Sequence, residues 1–154
     1  MIQIASAIAL MTIFLAYMIL KHGWLPSISD SYYELSRKWL FQVTMIAFAV
    51  LLLVGVHDKI HSPFIPMACF GIALVAVAPR FEHNGIERFT HFFGAYSAIL
   101  FGFIGLWVDF GHWWPLAVFL PAYIILNFTV SRNKVYWSEV LALYLIGIIL
   151  LYCV

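Results

Sequence analysis

The chain has 154 residues, of which 65% are hydrophobic and 10% charged, and its formal net charge is +1. That apolar share exceeds the roughly half found in water-soluble domains, so a soluble globule is excluded. The near-neutral charge offers no basic surface for nucleic acid, and the composition is that of a polytopic membrane protein.

A helix that crosses a hydrocarbon layer of roughly 30 Å needs about 20 apolar residues. Runs of this kind predict spans over residues 2–20, 39–56, 63–79, 90–108, 113–130 and 137–154. The first closes on Lys21, His22 and Gly23 and lacks the basic start and small-residue cleavage pattern of a secretion signal, so it is expected to be a mature helix. The second ends at His57, Asp58 and Lys59. The third opens with Pro63 and Pro66 in its first turn, where a missing N–H costs little. Asp109-Phe110-Gly111-His112 forms a tight joint between the fourth and fifth, and the sixth reaches Val154.

Lipid offers no partner to a backbone N–H or C=O, so each span must be a helix or a strand of a closed barrel. Barrel strands alternate in polarity over about 10 residues, and these runs do not alternate. The short joints make consecutive helices antiparallel neighbours. The expected fold is one all-α domain over residues 1–154, a compact bundle of six transmembrane helices. Cys69 and Cys153 fall inside apolar runs and read as small packing residues rather than ligands or a disulfide.

Loops rich in Lys and Arg stay cytoplasmic. The joints after the first, third and fifth spans carry Lys21, Arg37, Lys38, Arg80, Arg88, Arg132 and Lys134, against Lys59 alone on the other side. This asymmetry predicts both termini outside the cytoplasm, in the inner membrane of a prokaryote. Trp24, Trp39, Trp107, Trp113, Trp114 and Trp137 lie near span ends, as interfacial anchors do.

On the fourth span, His91, Ala95, Ala98, Gly102, Gly105 and Asp109 recur in steps of three and four, which places them on one helical stripe. Small residues in such a stripe let a neighbouring helix approach closely in lipid, so this span is expected at the centre of the bundle. Its polar ends, His91 and Asp109, lie roughly 27 Å apart at the helical rise and mark opposite membrane faces.

Two rims carry the remaining chemistry. On the cytoplasmic rim stand Asp30, Glu34, Glu82, His83, Glu87 and His91, with His22 nearby; Glu87 and His91 are one turn apart and able to meet. On the other rim, His57, His61, Asp109 and His112 are candidate zinc ligands if the second helix continues to His61, because two imidazoles so spaced share a face and His112 would complete a set that leaves a position open for water. In the first joint, Ser31 and Glu34 have the spacing of a capping box, with the hydroxyl bonding forward and the carboxylate reaching back.

A cap does not require the whole string Pro26-Ser27-Ile28-Ser29-Asp30. That string after the first span, His91-Phe92-Phe93-Gly94-Ala95 opening the fourth, and the six spans together resemble the Frag/DRAM/Sfk group of membrane proteins and its bacterial six-span relatives. The resemblance follows the order of the spans across nearly the whole chain, while its motifs amount to about ten residues. It implies a function in lipid remodelling, phosphoinositide regulation or autophagy and nominates Ser29, Asp30, Glu34 and His91 as site residues. The chain departs from the group's usual topology, which puts the first joint on the non-cytoplasmic side.

The function expected from these readings is binding of a lipid headgroup or small ligand by Ser29, Asp30, Glu34, Glu87 and His91, with Lys38, Arg80 and Arg88 placed to hold phosphate. Membrane lipids are the expected partners, with a second copy or another membrane protein as a further one, and no resident cofactor is expected. Two alternatives stand beside it. One is a zinc-dependent intramembrane hydrolase, set against by the lack of paired histidines on the last span; the other is a packing or regulatory subunit without catalysis.

Overall fold

The computed structural model describes residues 1–79, 81, 85–129 and 133–154. Arg80, Glu82, His83 and Arg132 of the cytoplasmic rim lie outside the described residues. Among those described, the chain is all-α: α1 (Ile2–His22), α2 (Ser31–Glu34), α3 (Trp39–Val56), α4 (Phe64–Val77), α5 (Gly85–Phe110), α6 (Trp114–Thr129) and α7 (Lys134–Cys153). Four of these segments, Ile2–His22, Trp39–Lys59, Gly85–Phe110 and Lys134–Cys153, are long and apolar enough to cross a membrane. α4 and α6 are apolar too but shorter, at 14 and 16 residues.

Five long or medium helices form a ring. α1 packs on α3, α3 on α4 and α4 on α5, and α7 closes the circle by touching both α5 and α1. α6 lies outside the ring against α7, with Phe119 stacked on Phe103 of α5 at a centroid distance of 4.9 Å. The outward faces are apolar: Val43, Val50 and Val54 of α3, Leu100 and Trp107 of α5, and Ile124, Ile125 and Phe128 of α6 are all exposed. A water-soluble surface rarely carries so continuous an apolar cover, whereas lipid tails solvate it.

The closest approach in the ring is between α4 and α5. A β-carbon added to Gly71 would lie 2.6 Å from the Gly94 carbonyl oxygen and 2.7 Å from the Ala98 nitrogen. One added to Gly94 would lie 2.7 Å from the Gly71 oxygen and 2.8 Å from Leu74 Cβ. The two helices therefore meet backbone to backbone, as the stripe on α5 predicts. Gly102 performs the same service for α7, whose Ile146 side chain occupies the space a β-carbon would take. The buried face of α5 is His91, Gly94, Gly102, Phe103, Gly105 and Leu106, so Gly94 joins the predicted stripe.

Local sequence accounts for the ends. α5 stops at Gly111, whose φ of 73° is left-handed, and the Gly111 and His112 N–H groups donate back to Trp107 and Leu106, a glycine-capped helix end. Pro63 and Pro66 occupy the first turn of α4 as expected, with the Met67 N–H donating to the Pro63 carbonyl. Pro121 lies inside α6, where its ring removes one helical hydrogen bond.

The condition for a two-histidine face on α3 is not met. α3 ends at Val56, a single 3-10 turn covers His57–Lys59, and Ile60 is extended at ψ 137°. Pro63 explains the break, since the chain ahead of a proline is driven out of helical geometry. The Ser31–Glu34 capping box is also absent: among the described residues no side chain caps α2, and the buried Ser31 hydroxyl has no hydrogen-bond partner.

Candidate functional site

The joint between α1 and α3 folds inward over one end of the ring. Gly23 (φ 78°) turns the chain out of α1, and Trp24 then packs against the start of α7, 4.8 Å from Trp137 and 6.0 Å from Tyr136 between ring centroids. The Tyr136 N–H, one of the orphan donors of a helix start, donates to the Pro26 carbonyl at 3.0 Å. Leu25, Ile28, Ser29, Ser31, Tyr32 and Leu35 are all buried. The string that carries the family resemblance is thus a plug with an apolar underside.

Within the plug, the Ser27 hydroxyl donates to Asp30 Oδ2 at 2.8 Å and accepts from the Asp30 N–H at 3.2 Å. Ser27 and Asp30 thus bond each other just ahead of α2, where the spacing assigns an exchange between Ser31 and Glu34, and among the described residues no side chain caps the helix. Glu34 instead turns outward, with Oε2 3.5 Å from His22 Nδ1 and half its surface exposed.

The next contact crosses the fold. The Ile28 N–H donates to Glu139 Oε2 at 2.7 Å, over 111 positions of sequence. Glu139 stands on the second turn of α7, inside a predicted membrane helix, where an ionisable group is costly unless it has a partner or a function. One of its oxygens has the Ile28 N–H; the other takes no hydrogen bond among the described residues.

Glu139 and Ser29 line a partly open cavity of about 60 Å³ beneath the plug, together with Met45 of α3, Ile72 and Val75 of α4, Ala95 and Ala98 of α5 and Leu143 of α7. A second, apolar void of about 30 Å³ adjoins it, sharing Ile72, Ala98, Ile99 and Leu143. Ser29 is only 5% exposed, and its hydroxyl makes no hydrogen bond among the described residues.

His91 lies one turn before Ala95 on α5, outside the cavity lining. It is 3% exposed, its Nδ1 is 3.1 Å from the Ala78 carbonyl, and its ring stacks on Phe81 at 4.4 Å and 23°. The Nδ1 contact selects the tautomer or protonated form that carries a proton there. The Asp30 carboxylate lies near enough to act electrostatically on both the His91 imidazole and the Glu139 carboxylate.

Of the expected rim residues, then, Asp30 lies within electrostatic reach of His91, Ser29 lines the cavity, and Glu34 leaves for His22. Glu87 is half-buried on the first turn of α5. Glu139 was not foreseen. Its signal was present as a carboxylate within an apolar run, but its position near the span's predicted start resembled an ordinary interfacial acid.

At the opposite end of the ring, Asp109 bridges to the joint ahead of α4. Its Oδ1 accepts the His61 and Ser62 N–H groups at 3.0 and 2.8 Å, and its Oδ2 accepts the Ser62 hydroxyl at 2.7 Å. His57 and His61 are exposed and His112 half-buried. Among the described residues no three His, Cys, Asp or Glu side chains are grouped to hold a metal ion. Compared with protein-family models, curated proteins and solved structures, the chain matches none.

Proposed function

We propose that this is a six-span membrane protein that binds the headgroup of a membrane lipid in the polar-ended cavity beneath the first joint. The observation that carries the reading is the cavity itself: Ser29 from the plug and Glu139 from α7 supply its polar lining, and Asp30 acts on Glu139 and on the neighbouring His91. Groups from segments remote in sequence converge on a small space beside apolar walls, which is how ligand sites are built.

The two short helices complete the six passes. At 14 and 16 residues, α4 and α6 rise about 21 and 24 Å, and a locally thinned bilayer or polar joints drawn into the interface make up the difference. The basic residues Lys21, Arg37, Lys38, Arg88 and Lys134 belong to the plug and the neighbouring helix ends, so the cavity opens toward the cytoplasmic leaflet and Lys38 or Arg88 is placed for a lipid phosphate. The reading also accords with the Frag/DRAM/Sfk resemblance, because Asp30 and His91, one from each of its two motifs, act on one another here.

The test uses two conservative variants. Asp30→Asn keeps the Ser27 hydrogen bonds and loses the charge; His91→Phe keeps the stack on Phe81 and loses Nδ1. Both are expected to elute and melt like the wild type in mild detergent yet retain several-fold less co-purified lipid by mass spectrometry. Equal lipid retention in all three proteins would remove the headgroup site.

A further inference from the structure

Granting that headgroup reading, we infer that the ligand is a primary ammonium, held by Glu139, and that the cavity selects it over a trimethylated amine. The charge balance of the lining comes first. Among the described residues, Glu139 is the ionisable group lining the cavity and no Lys or Arg lines it, while Asp30 adds a second carboxylate within electrostatic reach. An anionic head placed there meets two carboxylates in a setting of low dielectric, where ionising them beside a second anion costs more than at the surface. A cation gains both.

Hydrogen-bonding capacity gives the number of donors. Glu139 has one oxygen committed to the Ile28 N–H, which leaves the other to accept. The Ser29 hydroxyl, 5% exposed and unpartnered among the described residues, is a second acceptor on the same lining. A primary ammonium carries three N–H donors and no acceptor, and satisfies both. A quaternary ammonium has no N–H, and is recognised instead by aromatic faces around it; among the described residues no Phe, Tyr or Trp lines this cavity.

Size makes the same distinction. The cavity is about 60 Å³ and only partly open to the outside, room for the small aminoethyl end of a headgroup. Three further methyl groups on nitrogen would press on Ala95, Ala98 and Val75, and Gly71 and Gly94 hold those helices backbone to backbone so that α4 and α5 have no slack to give.

The amine can arrive on a lipid, as in phosphatidylethanolamine, or free, as ethanolamine, and one experiment separates these. Purified protein is placed in nanodiscs with equal amounts of phosphatidylethanolamine, phosphatidylcholine and the anionic phosphatidylglycerol, all of identical chains, released, and its retained lipid counted by native mass spectrometry. The wild type should retain the ethanolamine lipid about tenfold over the choline lipid, the scale of one charge-assisted hydrogen bond. Glu139→Gln keeps an acceptor for the Ile28 N–H but removes the charge, and should abolish that preference with an unchanged melting temperature. Ala98→Leu, which fills the cavity without touching a polar group, should lower retention of the ethanolamine lipid as well. Competition by millimolar ethanolamine, but not by choline, with no preference between the lipids, assigns the site to the free amine and upholds the ammonium inference. Retention of an anionic lipid unaffected by Glu139→Gln overturns the ammonium assignment and leaves the headgroup reading standing, while no retained lipid and no amine competition overturns both.

Discussion

Gly94→Leu should unfold the bundle or lower its stability by more than about 3 kcal/mol, the upper end of what overpacking costs. The position has no room to adapt. The first added carbon already lies 2.7 Å from the Gly71 carbonyl oxygen and 2.8 Å from Leu74 Cβ, and one of these obstacles is backbone, which cannot change rotamer. α4 and α5 must then separate along their whole crossing, and in lipid the dispersion lost is not offset by any hydrophobic gain. Gly94→Ala should show the same effect at about 1–3 kcal/mol. Gly85→Ala is the matched control, because its β-carbon meets nothing within 4 Å; there the helix propensity of Ala should give up to about 1 kcal/mol of stabilisation. Thermal unfolding in one detergent, followed by circular dichroism, ranks the three. A Gly94→Leu protein that melts with the wild type would mean that α4 and α5 do not cross there.

The same crossing matters to the cavity. Ala95 and Ala98, one position and one turn beyond Gly94, form its α5 wall, so the glycine contact sets the distance between that wall and α4. A stability variant at Gly94 is therefore also expected to lose lipid selectivity, whereas a variant at the far end of α5 is not.

Why some of this was legible in the sequence and some was not follows from the range of the interactions. Helix positions, the prolines in the first turn of α4 and the small-residue stripe of α5 depend on neighbours within one or two turns, and the spacing of residues records them. The caps were misread where a tertiary partner outbid a local one. Ser31 and Glu34 have the right spacing to bond each other's backbone, but His22 draws Glu34 outward and burial removes Ser31 from any donor. Asp30 and Ser27 bond each other instead, ahead of the helix. Glu139 escaped notice because its partner is a backbone N–H 111 positions away; every residue offers such a group, so no side-chain pattern announces it. The His57–His61 face depended on a helix that Pro63 stops short.

Asp109→Ala should lower stability by about 2 kcal/mol, the value of charge-assisted hydrogen bonds that are partly open to solvent, without changing lipid selectivity. An acid on the last turn of a helix stands against the helix dipole, so its presence at the end of α5 requires an offset, and the offset is visible. Its two oxygens accept three donors, two of them backbone N–H groups ahead of α4, and the Ser62 hydroxyl that it orients accepts in turn from the Phe64 N–H at 3.3 Å. The N-terminus of α4, rich in unsatisfied donors, thus shares one carboxylate with the C-terminal turn of α5. Asp109→Asn retains one acceptor oxygen and should fall between wild type and Ala. This arrangement also bears on the zinc expectation for His57, His61, Asp109 and His112: a carboxylate already satisfied by three donors must release them to bind a metal. Added zinc should accordingly leave the melting temperature of the wild type unchanged, and the loss in Asp109→Ala should be the same with zinc or with chelator. A zinc-dependent rise in the wild type that Asp109→Ala abolishes would show that the carboxylate prefers the metal to the clasp.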